Sequence, residues 1–315
     1  MAEEEPKSWI SYKKAKFVEL LYKPFIVYGK QFFKFFLVAL ITEFIVYGVS
    51  LLFQIDITVQ PTFNGPALGA VLEFRGDADT VENFQTLLAV LALPTILIFL
   101  YRSTIISNMA WKTIEDGKTN VFWSISRSIR KTKELLVFLA FIGTLIAFPV
   151  LLIILGIILQ GHTFLYAYVF GWMFVIFSIV IPLIFYSRSS LYIAGMAKDN
   201  LHVGAALQTS WQFSARRNYY RVTFTFIIFL ILGLLIPYGL TLYLTNIYSG
   251  WADKILLIMV FVKALLYPLF DIGLTFNYMH LEHHSVEQAV FRDAIIEQKK
   301  RSEEVIRKGI DHRNF

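Results

Sequence analysis

Apolar residues in this chain gather in long unbroken stretches instead of alternating with polar ones. Six stretches stand out, at roughly Phe35 to Phe53, Thr86 to Ile106, Leu135 to Leu159, Phe164 to Tyr186, Val222 to Leu244 and Ile255 to Tyr278. At 1.5 Å per residue, each can cross a hydrocarbon core about 30 Å thick. None shows a period of two, so the pattern predicts transmembrane helices and not the strands of a membrane barrel. The fold class expected is all-α, a polytopic membrane protein with six transmembrane helices.

The even-numbered stretches each hold a proline near the middle, Pro94, Pro182 and Pro268, at intervals of 88 and 86 residues. Ile98 to Ser103 also aligns with Ile184 to Ser189 at an offset of 86. The odd-numbered stretches are entered through basic and aromatic segments, Lys30 to Phe35, Arg130 to Val137 and Arg216 to Val222. Together these predict three repeated units of interfacial helix plus helical hairpin, each with a proline break in its returning helix.

The segments between the stretches are too apolar for plain linkers. Lys7 to Lys23 mixes Trp9, Phe17 and Leu21 with Lys13, Lys14 and Lys16, as suits a helix lying in the headgroup region, with Pro24 ending or bending it. Trp123, Ile125 and Ile129 follow an Asp116-Gly117 turn and share a segment with Arg127, Arg130 and Lys131; Trp211 and Phe213 mark a similar one between Leu201 and Arg217. After Tyr278 the chain becomes charged. Ser285 with Gln288 reads as a capping box opening a separate helix that stops near Gly309. The organisation expected is an amphipathic N-terminal segment (1–34), a six-helix transmembrane domain (35–278) and a cytoplasmic C-terminal helix (279–315).

Charge then sets orientation. Of 29 Lys and Arg, 26 fall in the N-terminal segment, the second loop (counted from Arg102), the fourth loop and the tail. Positively charged loops stay cytoplasmic, so both termini are expected there. Asp56, Glu73, Asp77, Asp79, Glu82 and Asp253 lie on the other side. The net charge of +6 is thus spread as membrane insertion demands and is no nucleic-acid signal. A content of 57% hydrophobic and only 17% charged residues excludes an ordinary soluble enzyme. The opening Met1-Ala2-Glu3-Glu4-Glu5 does not read as a cleavable signal, so the first stretch is expected to anchor the protein. Without cysteine the chain has no disulfides, thiolate metal sites or cysteine nucleophiles.

The segment Gly204-Ala205-Ala206-Leu207-Gln208-Thr209-Ser210-Trp211, followed by Arg216, Arg217 and an aromatic run, resembles one recurring in six-helix bacterial membrane proteins. These are akin to the membrane domain attached to some glycerophosphodiester phosphodiesterases. The resemblance implies internal duplication, echoed at Trp123 to Lys133, and the inner membrane of a bacterium. In those phosphodiesterases catalysis resides in a separate barrel domain, which this chain has no room for, so the activity does not carry over.

Candidate chemistry is sparse. Gly117-Lys118-Thr119 lacks the leading glycine and the strand of a phosphate loop. His280-Leu281-Glu282-His283-His284 places imidazoles three and four residues apart and resembles one histidine box of membrane desaturases, which require three. It leaves His280, His283 and His284 as a weak metal candidate, or a polar cap at a helix end. Ionisable residues inside the stretches are Glu43, Lys263 and Asp271. They are costly there and point either to an ion pathway or to a structural pair of Lys263 with Glu43. No catalytic set and no cofactor are expected. The leading expectation is a non-enzymatic scaffold, accessory subunit or assembly factor, with membrane lipids and other membrane subunits as partners. The alternative is a transporter or lipid-handling permease using Glu43, Lys263 and Asp271, and a membrane enzyme comes last.

Overall fold

The computed structural model describes residues 15–52, 78–141, 165–215 and 218–311, together with Ile10, Tyr12, Leu152 and Leu155. Every element among the described residues is helical. Most of the interfacial segment from Lys7, the loop after Phe53, His162 and most of Leu135 to Leu159 lie outside them.

Helices α1 (Phe17–Lys30) and α2 (Phe32–Leu52) meet at Gln31 with a bend of 88°. The break predicted at Pro24 is not there: Pro24 is buried inside α1, which continues to Lys30. The corner is held instead by tertiary bonds. Gln31 Nε2 donates to the Gly117 carbonyl at 3.3 Å, and Lys34 Nζ to the Thr119 carbonyl at 2.8 Å.

Helix α3 (Ala78–Asp116) runs through Pro94 and stops at Gly117, whose φ of 71° is the left-handed conformation a glycine C-cap supplies. The turn predicted at Asp116-Gly117 is therefore present. Helix α4 (Val121–Ile129) starts at Asn120, whose side chain accepts from the Trp123 N–H at 3.2 Å. Next come α5 (residues 132–141), α6 (Leu165–Ser189, containing Pro182), α7 (Tyr192–Lys198) and α8 (Val203–Phe213).

Helix α9 (Tyr219–Leu230) passes through a π turn at Ile231–Leu235 into α10 (Ile236–Ile247). Within that turn Gly233 lies on α11 (Ala252–Asp311), so close that a Cβ would sit 2.8 Å from the Phe270 Cβ. Gly273 of α11 likewise receives the Phe229 ring, and an added Cβ would fall 2.4 Å from Phe229 Cδ2. Two small residues thus bring the backbones of these helices together, the usual device of membrane helix packing. Helix α11 is the hub, packed against α1, α2, α3, α7, α8, α9 and α10.

Two helical segments are long and apolar enough to cross a membrane, Tyr219–Thr241 and Lys254–Ser285, and the bent pair α1 and α2 makes a third if taken as one span. They fall on the fifth, sixth and first predicted stretches. The second and fourth lie within α3 and α6. The separate helix predicted to open at Ser285 does not form: α11 passes through Pro268 and continues unbroken to Asp311. Ser285 donates its hydroxyl to the Glu282 carbonyl at 2.8 Å, a bond made within a helix and not at its start.

Candidate functional site

Of the three intramembrane candidates, Glu43 and Asp271 are buried, and the partner of Glu43 is a residue sequence reasoning placed elsewhere. Arg102, counted with the second loop, lies inside α3 and sends Nη1 to Glu43 Oε1 at 2.8 Å, with both side chains only 4% exposed. Its guanidinium also lies over the rings of Phe99, 4.7 Å from the centroid, and Tyr267, 4.5 Å away. Flanking aromatic faces partly replace the hydration the cation has lost. The ion pair suggested between Lys263 and Glu43 gives way to this one; Lys263, half-buried, sits over the Tyr238 ring at 5.0 Å.

Helical periodicity assembles the rest. Tyr267 and Asp271 are four residues apart on α11, and Phe99, Arg102 and Ser103 share one face of α3. The Ser103 hydroxyl hydrogen-bonds one side of the Asp271 carboxylate. The other oxygen, Oδ2, is buried without a partner among the described residues, as are Arg102 Nε and the Tyr192 hydroxyl. Arg102, Asp271 and Tyr192 all line one cavity of about 400 Å³, whose remaining walls are mostly apolar, among them Phe226, Leu230, Leu234 and Phe270. A buried polar atom left unpaired is costly, and these three belong to residues that line one cavity. Arg102 offers a donor, Asp271 an acceptor and Tyr192 either.

Sequence reasoning missed Arg102, Ser103 and Tyr192. One signal for Arg102 was legible: it falls inside the apolar stretch ending at Ile106, where a lone arginine requires an acidic partner. Nothing marked Tyr192, whose placement depends on its ring stacking on Phe138 at 3.5 Å.

The histidines lie further along α11 than Asp271. His280 Nδ1 is 2.8 Å from the Tyr12 carbonyl and must carry the proton there, since a carbonyl only accepts. His283 meets the Tyr12 ring edge-on at 6.4 Å, while the His280 and His284 rings lie 5.7 Å apart. Among the described residues no three His, Cys, Asp or Glu side chains are grouped to hold a metal ion. Beside them Lys198 pairs with Glu282, and the Tyr278 hydroxyl donates to Asp199. Burial works most strongly against the charge on Lys198, but the Glu282 hydrogen bond and the Glu282, Asp199 and Glu115 charges together outweigh it and leave the amine above its ordinary pKa. Burial lifts the Glu115 carboxyl above its usual range; Lys198 opposes this, and the Asp116, Glu282 and Asp199 charges add to it.

Two helices able to span a bilayer by length and composition, in a fold that is helical throughout its described residues, mark a helical membrane protein. No family model, curated protein or solved structure matches the chain.

Proposed function

We propose that this is a non-enzymatic, multi-pass protein of a bacterial inner membrane that handles a lipid-like ligand, holding its polar end against Arg102, Asp271 and Tyr192. The observation that carries this reading is a mostly apolar cavity of about 400 Å³ lined by Arg102, Asp271 and Tyr192, each of which keeps a polar atom without a partner among the described residues. A ligand whose end group both donates and accepts, such as a hydroxyl or an amide, complements that set without adding net charge. Glu43 serves to hold Arg102 in place, and Lys263 stands apart from the contact. Six spans, cytoplasmic termini and a threefold repeat belong to the same proposal. In support of the repeat, short helices α1, α4 and α8 each precede a longer one, and Arg102 and Arg188, aligned at an offset of 86, both lie over aromatic rings. Kinship with the phosphodiesterase-associated membrane domain also belongs here, drawn from Gly204 to Trp211.

Native mass spectrometry of the protein purified in mild detergent tests the reading. A bound neutral amphiphile is expected on the wild type, reduced by Tyr192→Phe and lost with Asp271→Leu. A wild-type protein carrying no such adduct would overturn it.

A second reading, an accessory subunit, rests on α11. Its 60 residues extend to about 90 Å, three times a hydrocarbon core. The turns beyond Ser285 would then serve as a docking handle for another membrane subunit. Truncation after Ser285 that releases a stoichiometric partner would favour this reading.

A further inference from the structure

A second cavity, of about 640 Å³, lies beside α4 and is lined mainly by charged and polar residues where the first is mostly apolar. Its lining includes Trp123, Arg127, Arg130, Lys131, Glu134 and His202. Three permanent cations face one carboxylate, so the pocket is electropositive. Local structure fixes these charges. Trp123, Arg127 and Arg130 recur at four and three residues, which puts them on one side of α4. Arg127 is clasped between the Trp111 and Trp123 rings, 5.5 and 5.1 Å from their centroids, and donates through Nη2 to the Lys198 carbonyl at 3.0 Å. Asn200, with φ of 57°, turns the chain after α7 so that its carbonyl and that of Leu201 accept from Lys131 Nζ at 3.1 and 3.4 Å. Glu134 Oε1 is 3.7 Å from the same amine.

Lys131 thus has two of its protons engaged by carbonyls and contributes field more than contact. Arg130 is exposed and has no acidic partner among the described residues, and Arg127 keeps guanidinium donors to spare. About 100° around α4, Phe122 is 83% exposed and Ile129 59%. Large apolar side chains bared next to an arginine pocket suit a position at a bilayer boundary.

From this geometry we infer that the pocket binds the phosphate of an anionic phospholipid, gripped by Arg127 and Arg130 while the acyl chains lie along Phe122 and Ile129. Guanidinium forks match phosphate oxygens, and basic pockets between helices at a membrane surface recognise acidic headgroups. Glu134 works against the ligand by its charge and is kept to position Lys131. The site is separate from the cavity at Asp271 and does not depend on what that cavity holds.

The test titrates the full-length protein in a non-ionic detergent with short-chain phosphatidylglycerol, short-chain phosphatidylcholine and inorganic phosphate, reading affinity by thermophoresis. Phosphatidylglycerol is expected to bind at least tenfold more tightly than either of the others. Arg130→Gln, an exposed and structurally neutral change, is expected to weaken it roughly fivefold to tenfold, and Glu134→Gln to strengthen it. Equal affinity for the two lipids, or no effect of Arg130→Gln, would overturn the site. Inorganic phosphate binding as tightly as phosphatidylglycerol would assign the pocket to free phosphate and overturn the lipid.

Discussion

Arg102 and Glu43 form an ion pair across 59 residues of sequence, Nη1 to Oε1 at 2.8 Å, deep between α3 and α2. Removing one partner strands the other charge. Glu43→Gln or Arg102→Met alone should cost about 3 to 5 kcal/mol, whereas the double variant should recover most of that loss. Thermal melts in detergent measure this; single variants as stable as wild type would show that the pair does not hold these helices.

The contact of Gly273 with Phe229 makes a different kind of prediction. Gly273→Ala places a methyl 2.4 Å from a ring carbon, so α9 and α11 must separate or the ring must leave its rotamer. A loss of about 1 to 3 kcal/mol is expected, partly restored by Phe229→Leu. A variant as stable as wild type would show that the helices lie further apart.

Near the middle of α11, Tyr278→Phe removes the hydroxyl that donates to Asp199. Hydrogen bonds to charged groups contribute about 1.5 to 3 kcal/mol, and a loss of that size should appear in the melting temperature. Asp199→Asn keeps an acceptor and should cost less; no loss on Tyr278→Phe, which keeps the ring, would show that ring packing alone matters.

Glu115 predicts a pH dependence. Its folded pKa is raised, first by burial, so the folded state favours the protonated carboxyl. Its contribution is fully present below the unfolded value, about 4.3, and is lost as pH rises through the folded one. Stability should therefore fall with rising pH in that window, and Glu115→Gln should flatten the slope. An identical pH profile for wild type and variant would remove Glu115 as its source.

How much of this was legible beforehand varies with the range of the interaction. The turn at Gly117 could be read because a glycine after a helix supplies its own conformation. The helical break could not: Pro24 is the stronger local signal, yet bonds from Gln31 and Lys34 to the α3–α4 turn place the corner at Gln31. Ser285 shows the reverse error, a good local cap overridden because the helix before it never ends. At the site, Asp271 and Glu43 were conspicuous as charges among apolar neighbours, while Tyr192 was one tyrosine of 16.

Hydropathy and backbone preference act over a handful of residues, and they already make the chain helical and rich in apolar stretches and set Glu43 and Asp271 as charges among apolar neighbours. Tertiary structure alone decided that Glu43 meets Arg102 and not Lys263, and that Asp271 and Tyr192 share a cavity. Those pairings depend on how each helix is rotated and how closely the glycines of α11 and the π turn let their neighbours approach, which no single segment encodes.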